Sequence, residues 1–119
     1  MGDLPQFVYK IISKADWAAA SAAGRFDGVG IDVSDNFIHL STAQQVAGTL
    51  ERFFAGRTDL LLLQVPTAPF GERLKFEESH GDGRLFPHLF GGGFDTVGLA
   101  VHAVGFDDAG QKHIVPPLD

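Results

Sequence analysis

Three short stretches of this chain carry the side chains best suited to chemistry. "FIHLST", Phe37 to Thr42, puts a histidine two residues ahead of a serine and a threonine. "KFEES", Lys75 to Ser79, sets two carboxylates side by side. "LFPHLFGGG", Leu85 to Gly93, holds a histidine between two phenylalanines and ahead of three glycines. A histidine changes charge near neutral pH. A carboxylate beside an apolar face can be tuned for acid or base work.

Strand alternation sorts these residues by face. In the first stretch Ile38 and Leu40 share one face, and Phe37, His39 and Ser41 the other. If Ile38 and Leu40 pack under the following helix, His39 looks outward. Ser41 and Thr42 stand where that helix should begin. Unpaired N–H groups and the positive dipole end gather there, and such an end attracts phosphate or carboxylate. The structural reading is that His39 bonds to a loop carbonyl and Ser41 merely caps the helix. In the second stretch Leu74, Phe76 and Glu78 share a face, with Lys75 and Glu77 opposite. Alternation does not choose between Glu77 and Glu78 as a site carboxylate, and a solvated strand end is the other reading. The third stretch reads as an irregular loop. Pro87 stiffens it before His88, Phe86 and Phe90 flank the ring, and the glycines allow either a close backbone approach or a turn. No Gly-Lys-Ser/Thr follows, so it is not a phosphate loop. His80, His102 and His113 complete the histidines; no pair has a short helical ligand spacing, and no metal site is expected. A Ser41–His88 nucleophile pair lacks the glycine pattern of a nucleophile elbow.

The elements that must position these residues follow from periodicity. "QFVYKIIS" predicts a strand over residues 6–13. Ser13 and Asp16 resemble a capping box, and Gly24 suits the position past a helix end, so a helix is expected over 14–23. "RFDGVGIDVSD" reads as a surface loop with a brief extended piece at Ile31 to Val33. "NFIHLS" is the next strand. A second helix should follow with Ser41 as N-cap, Gln44 at the reciprocal position and Gly56 at its end. Its apolar stripe is Ala43, Val46, Ala47, Leu50, Phe53 and Phe54. "DLLLLQVP" is apolar throughout, which predicts a central strand covered on both faces and closed by Pro66 and Pro69. "RLKFEES" is a further strand. "TVGLAVHAVGF" and "QKHIVP" are two more, joined by a turn at "DDAG". Strand, helix, strand, helix, then mostly strands is an α+β order.

Composition bounds the function. At 119 residues one domain is expected, large enough for a core without staples. The chain has no cysteine, which fits a reducing, cytoplasmic setting. A net charge of −6 without a basic run argues against nucleic-acid binding. The longest apolar run, Leu60 to Leu63, is too short to cross a bilayer, and the N-terminus does not read as a signal peptide.

Taken together, "VYKI", the Trp17 and "AAG" of the first helix, "DNFIHLSTAQQV", "LLLLQV", "LKFEES" and "LFPHLFG" resemble a small bacterial family, the domain of unknown function numbered nine-five-two. The likeness runs from about Val8 to Val104. Phe76 and Phe90 stand where that family often has Trp and Tyr. The family in turn looks like a compact relative of the ADP-ribosyltransferase fold. That likeness implies a mixed or antiparallel split sheet with two main helices around a NAD-binding cleft. "HLST" is similar to the second-strand element of those transferases and to the "HVHLS" of RNA 2′-phosphotransferases. By this resemblance Ser41 and Thr42 support the cleft, His39 lies in or beside it, and Glu77, directly after the aromatic, is the carboxylate. The first strand offers Tyr9 and Lys10 in place of the transferases' His or Arg. For a NAD-like cofactor Phe86, Tyr9 and His88 supply stacking; His39, Lys10, Arg84 and the N–H groups after Ser41 supply donors. The expectation is therefore a nucleotide or ADP-ribose-like small-molecule cleft. Its catalytic residues would be Glu77, His39 and His88, and its binding residues Tyr9, Lys10, Ser41, Thr42 and Phe86. It would act as a transferase or hydrolase. The alternative is a non-catalytic binding module with structural histidines.

Overall fold

The computed structural model describes residues 4–78, 81 and 83–118. It is an α+β arrangement in which every strand pairing among the described residues is antiparallel. The first strand, β1 (Phe7–Ser13), pairs with β4 (Leu60–Pro66), and β4 pairs with β8 (Ala100–Ala103), giving the order β1-β4-β8. As its unbroken apolar run predicts, β4 is the central strand: Leu60, Leu62, Leu63 and Val65 are buried. Alternation sends Val8 and Ile12 of β1 into one apolar cluster and Tyr9 and Ile11 into another, on the two faces of the sheet. Helix α1 (Lys14–Ala23) has the predicted bounds. Ser13 Oγ accepts the Asp16 N–H at 3.0 Å, and Gly24 closes the helix at φ 76°.

The second sheet has the order β3-β6-β5, from β3 (Ile38–His39), β5 (Leu74–Glu78) and β6 (Leu85–Leu89). The segment expected as an irregular loop is thus its central strand. Pro87 is tolerated there because its missing N–H falls where a ladder ends. Leu40 donates to the Pro87 carbonyl at 3.0 Å, but Pro87 has no N–H to return. The chain therefore leaves β6 after Leu40, and Ser41 exchanges two backbone hydrogen bonds with Tyr9, at 2.7 and 2.9 Å. That isolated bridge joins the edge of the first sheet to the second.

Two other expectations are corrected. Ile31–Asp35 is a short helix, α2, not an extended piece. Its alternation is inverted: Ile31 and Val33 are 64% and 65% exposed, while Asp32 is buried. Helix α3 is Val46–Phe53, shorter at its start than predicted. The capping contact is shifted by one residue: Thr42 donates its N–H to Gln45 Oε1 at 3.0 Å, and Ser41 Oγ meets Thr49 Oγ1 at 3.2 Å. Val46 and Leu50 are buried, but Ala47 and Phe53 of the expected stripe are exposed. The helix ends at Phe54, with Gly56 two residues beyond. Near the C-terminus "TVGLAVHAVGF" divides: β8 joins the first sheet, and β9 (Gly105–Asp107) pairs with β10 (Lys112–Ile114) across the predicted turn.

A small ladder of β2 (Arg25–Phe26) and β7 (Phe94–Asp95) explains the glycine run. Arg73 bonds to the carbonyls of Phe90, Gly92 and Gly93 at 3.0 to 3.2 Å. A Cβ on Gly93 would lie 1.6 Å from the Phe26 carbonyl oxygen. The close backbone approach is to the protein itself. Gly93→Ala should therefore abolish the cooperative thermal transition seen by circular dichroism. Gly48→Ala, inside α3 with nothing within 4 Å of its Cβ, should stabilise by about 1 kcal/mol in urea unfolding.

Candidate functional site

Lys10 points with Val8 and Ile12 toward the buried face of β1, where an ammonium needs compensation. Its Nζ donates to Asp32 Oδ2 at 2.8 Å and to the His39 carbonyl at 3.1 Å, and lies 5.7 Å from the centre of the Phe26 ring. The Asp32 side chain is 1% exposed and accepts four hydrogen bonds. Oδ2 also takes the Val29 N–H at 3.1 Å, while Oδ1 takes the His39 backbone N–H at 2.9 Å and Nδ1 at 2.7 Å. His39 Nε2 faces Asp35 Oδ2 at 3.0 Å. Both ring nitrogens of His39 thus meet carboxylate oxygens of the same chain. Burial by itself would raise the Asp32 carboxyl. The His39 ring and backbone donors and the Lys10 ammonium outweigh it and hold the carboxyl at about 2. Burial pushes Lys10 below its ordinary value, against the opposing pull of Asp32.

The second histidine is on β6, opposite His39 in register. His88 Nδ1 meets Glu77 Oε1 at 2.9 Å, across the β5–β6 ladder. Phe37 packs on both histidines, with ring centres 4.5 Å from His39 and 4.2 Å from His88, and the two imidazoles are 5.6 Å apart, edge to face. Glu78 is exposed.

A cleft of about 570 Å³ opens where β1 and β3 part below the Tyr9–Ser41 bridge. Tyr9, Lys10, His39, Ser41, Phe86 and His88 all line it. Glu77 and Thr42 do not; Glu77 reaches it through His88, and Thr42 spends its N–H on Gln45. Tyr9 is a wall residue with no exposed surface, packed with Val46 and Leu50. Asp32 and Asp35 line the cleft and were not read from the sequence as site residues. Their spacing, seven and four residues before His39 with Asn36 between, is the signal that marks them. Among the described residues no three His, Cys, Asp or Glu side chains gather as a metal site, and His80 lies outside those residues. Among them, too, no helix is long and apolar enough to cross a membrane.

Asp32 sets a pH dependence. Its carboxyl is depressed from 3.8 to about 2, so the unfolded chain takes up the proton first as pH falls. The stabilisation is fully present above pH 4 and is lost toward pH 2, with a size of about 2 kcal/mol. Urea midpoints measured across that range should show the loss, and Asp32→Asn should flatten it. Asp32→Ala, which strands the buried Lys10 ammonium, should cost about 3–5 kcal/mol at neutral pH.

No curated protein matches the chain. Among solved structures, the crystal structure of protein CC0527 from Caulobacter crescentus is similar at 41% identity, covering 86% of this chain and 89% of that one with a TM-score of 0.77. The solution NMR structure of the same protein matches at 40% identity, covering 89% and 90%, with a TM-score of 0.77. The sequence profile described as "Protein of unknown function (DUF952)" matches residues 11–104, the span that holds His39, Glu77 and His88, and the chain belongs to that family.

Proposed function

We propose that the cleft binds a small molecule with a planar ring, of the nucleotide or ADP-ribose-like class, on a fold of the ADP-ribosyltransferase kind. The observation that carries this reading is the convergence of Tyr9, Lys10, His39, Ser41, Phe86 and His88, from three separate chain segments, on one cleft of about 570 Å³. That volume suits a ligand of nucleoside size or somewhat larger. Phe53, Phe54 and Phe86 supply apolar wall, and the parting of β1 from β3 supplies the split that such a fold requires. In a transferase or hydrolase version Glu77 is a positioning residue that orients His88. Asp35 is the carboxylate on the cleft wall able to swing from His39 toward a developing positive charge, since its side chain is 48% exposed.

ADP-ribose or NAD at millimolar concentration should shift the His39 and His88 ring signals in NMR spectra. An unchanged spectrum overturns the reading. Glu77→Gln should leave affinity within about twofold while abolishing any release of nicotinamide from NAD.

The contacts of His39 also favour a second reading, a non-catalytic binding module. A ring whose Nδ1 meets Asp32 and whose Nε2 meets Asp35 has both nitrogens engaged by the protein itself, as a structural histidine would. On this reading His88→Ala lowers the melting temperature by about 4–8 °C and no turnover of NAD is detected in the parent protein.

A further inference from the structure

We infer that the open edge of β8 is a dimerisation surface. A second copy of this chain pairs with it, antiparallel about a two-fold axis, and joins two three-stranded sheets into one of six strands. The surface is no part of the cleft lining, so the inference stands independently of any ligand. Strand β8 has β4 on one side and, among the described residues, no strand on the other. Alternate backbone N–H and C=O groups of such a strand point away from its ladder and need water or another strand. Among the described residues no backbone group of Ala100–Ala103 bonds to an element other than β4.

Sheet edges are commonly guarded by charge. The edge strand β5 of the second sheet carries Lys75, Glu77 and Glu78. The β8 edge carries no such guard: residues 96–106 contain no Lys, Arg, Asp or Glu. Ala100, Val101 and Ala103 are exposed, and Val97 just ahead of them is 83% exposed. Register sets Val101 beside Leu63 and Ala103 beside Leu61, so the first apolar cluster runs out to solvent at this edge. Three observations select a second copy as the occupant. Each chain carries a net charge of −6, so two copies repel wherever carboxylates meet, and this edge brings none into the new ladder. A foreign peptide draws its specificity on a sheet edge from pockets for its alternate side chains. Neither the main cleft nor the smaller cavity beside α3 is lined by any residue of 96–106. Finally, a two-fold axis perpendicular to the sheet keeps like faces together. Val101 and Ala103 of one copy then face those of the other, small and β-branched side chains that suit a pleated ladder, and both β8 edges are satisfied at once.

The test compares the parent with V101K by sedimentation equilibrium from micromolar to millimolar concentration, with backbone amide exchange followed by NMR. The parent should associate to a dimer and no further, and the amides of Ala100–Ala103 should exchange more slowly as concentration rises. V101K sets two ammonium groups near each other across the axis and should weaken association about tenfold, with part of the loss restored by added salt. Equal melting temperatures at dilution, where both proteins are monomeric, exclude a folding defect. A103K, on the same exposed face, repeats the test should V101K melt lower. A parent that stays monomeric at millimolar concentration overturns the inference. So does a dimer whose β8 amides exchange independently of concentration, or one that V101K and A103K leave intact. A monomeric parent whose β8 amides are protected only by an added alternating Thr-Val peptide overturns the dimer and makes the edge a peptide site.

Discussion

The structure depends on one buried electrostatic junction, the contact of Lys10 with Asp32 and His39. Three elements meet there: β1 brings the ammonium, α2 the carboxylate and β3 both the imidazole and a carbonyl. Removing an ammonium and a carboxylate from water costs several kcal/mol per ion, and the cost is offset only when every lone pair and proton finds a partner. Asp32 meets that condition with four donors. The junction is therefore all-or-none. It also explains why a stretch reading Ile-Asp-Val buries the aspartate and leaves its apolar neighbours in water: the charge pair decides the orientation of α2, and the apolar burial lost is smaller than the cost of stranding Lys10.

A second constraint acts on the backbone. Pro87 occupies the central strand of the second sheet and cannot return the hydrogen bond it accepts from Leu40. The β3–β6 ladder stops there, and Ser41 turns to Tyr9 on the neighbouring sheet. From that bridge β1 and β3 diverge, with the Lys10–Asp32 junction spanning the gap. The cleft is the space between them. A missing N–H on one strand and a buried charge pair beside it thus create the concave surface, and the same arrangement aims His39 and His88 at each other across Phe37.

The charges on the cleft wall bear on its chemistry. Inside the main cleft the cations are matched by carboxylates of the same chain, which leaves a polar but internally balanced wall. Membership of a family without an assigned activity gives no substrate, so this internal pairing of charges is the most specific chemical information that the cleft offers.

Much of the framework was legible in the sequence. The first helix was bounded by Ser13 and Gly24, β4 by its unbroken leucines and prolines, and β5 by alternation; these are local signals, carried by neighbouring residues. The outward turn of His39 also followed from alternation with Ile38 and Leu40. The family likeness favoured Glu77 over Glu78 as the site carboxylate; in the structure Glu77 contacts His88 but stays off the cleft wall. What the sequence alone did not reveal depends on residues far apart in the chain. Leu85–Leu89 is a strand because β3 and β5 flank it and Pro87 sits where a ladder ends, whereas local rules read proline and glycine as breaks. Asp32 is buried because Lys10, 22 residues away, needs it. The glycine run is close-packed against Phe26 and Arg73, neither of which is a sequence neighbour. Local propensity determined elements such as α1, β1 and β4; long-range charge pairing and backbone hydrogen-bond geometry, which no local pattern encodes, decided β6, the burial of Asp32 and how the elements come together around a cleft.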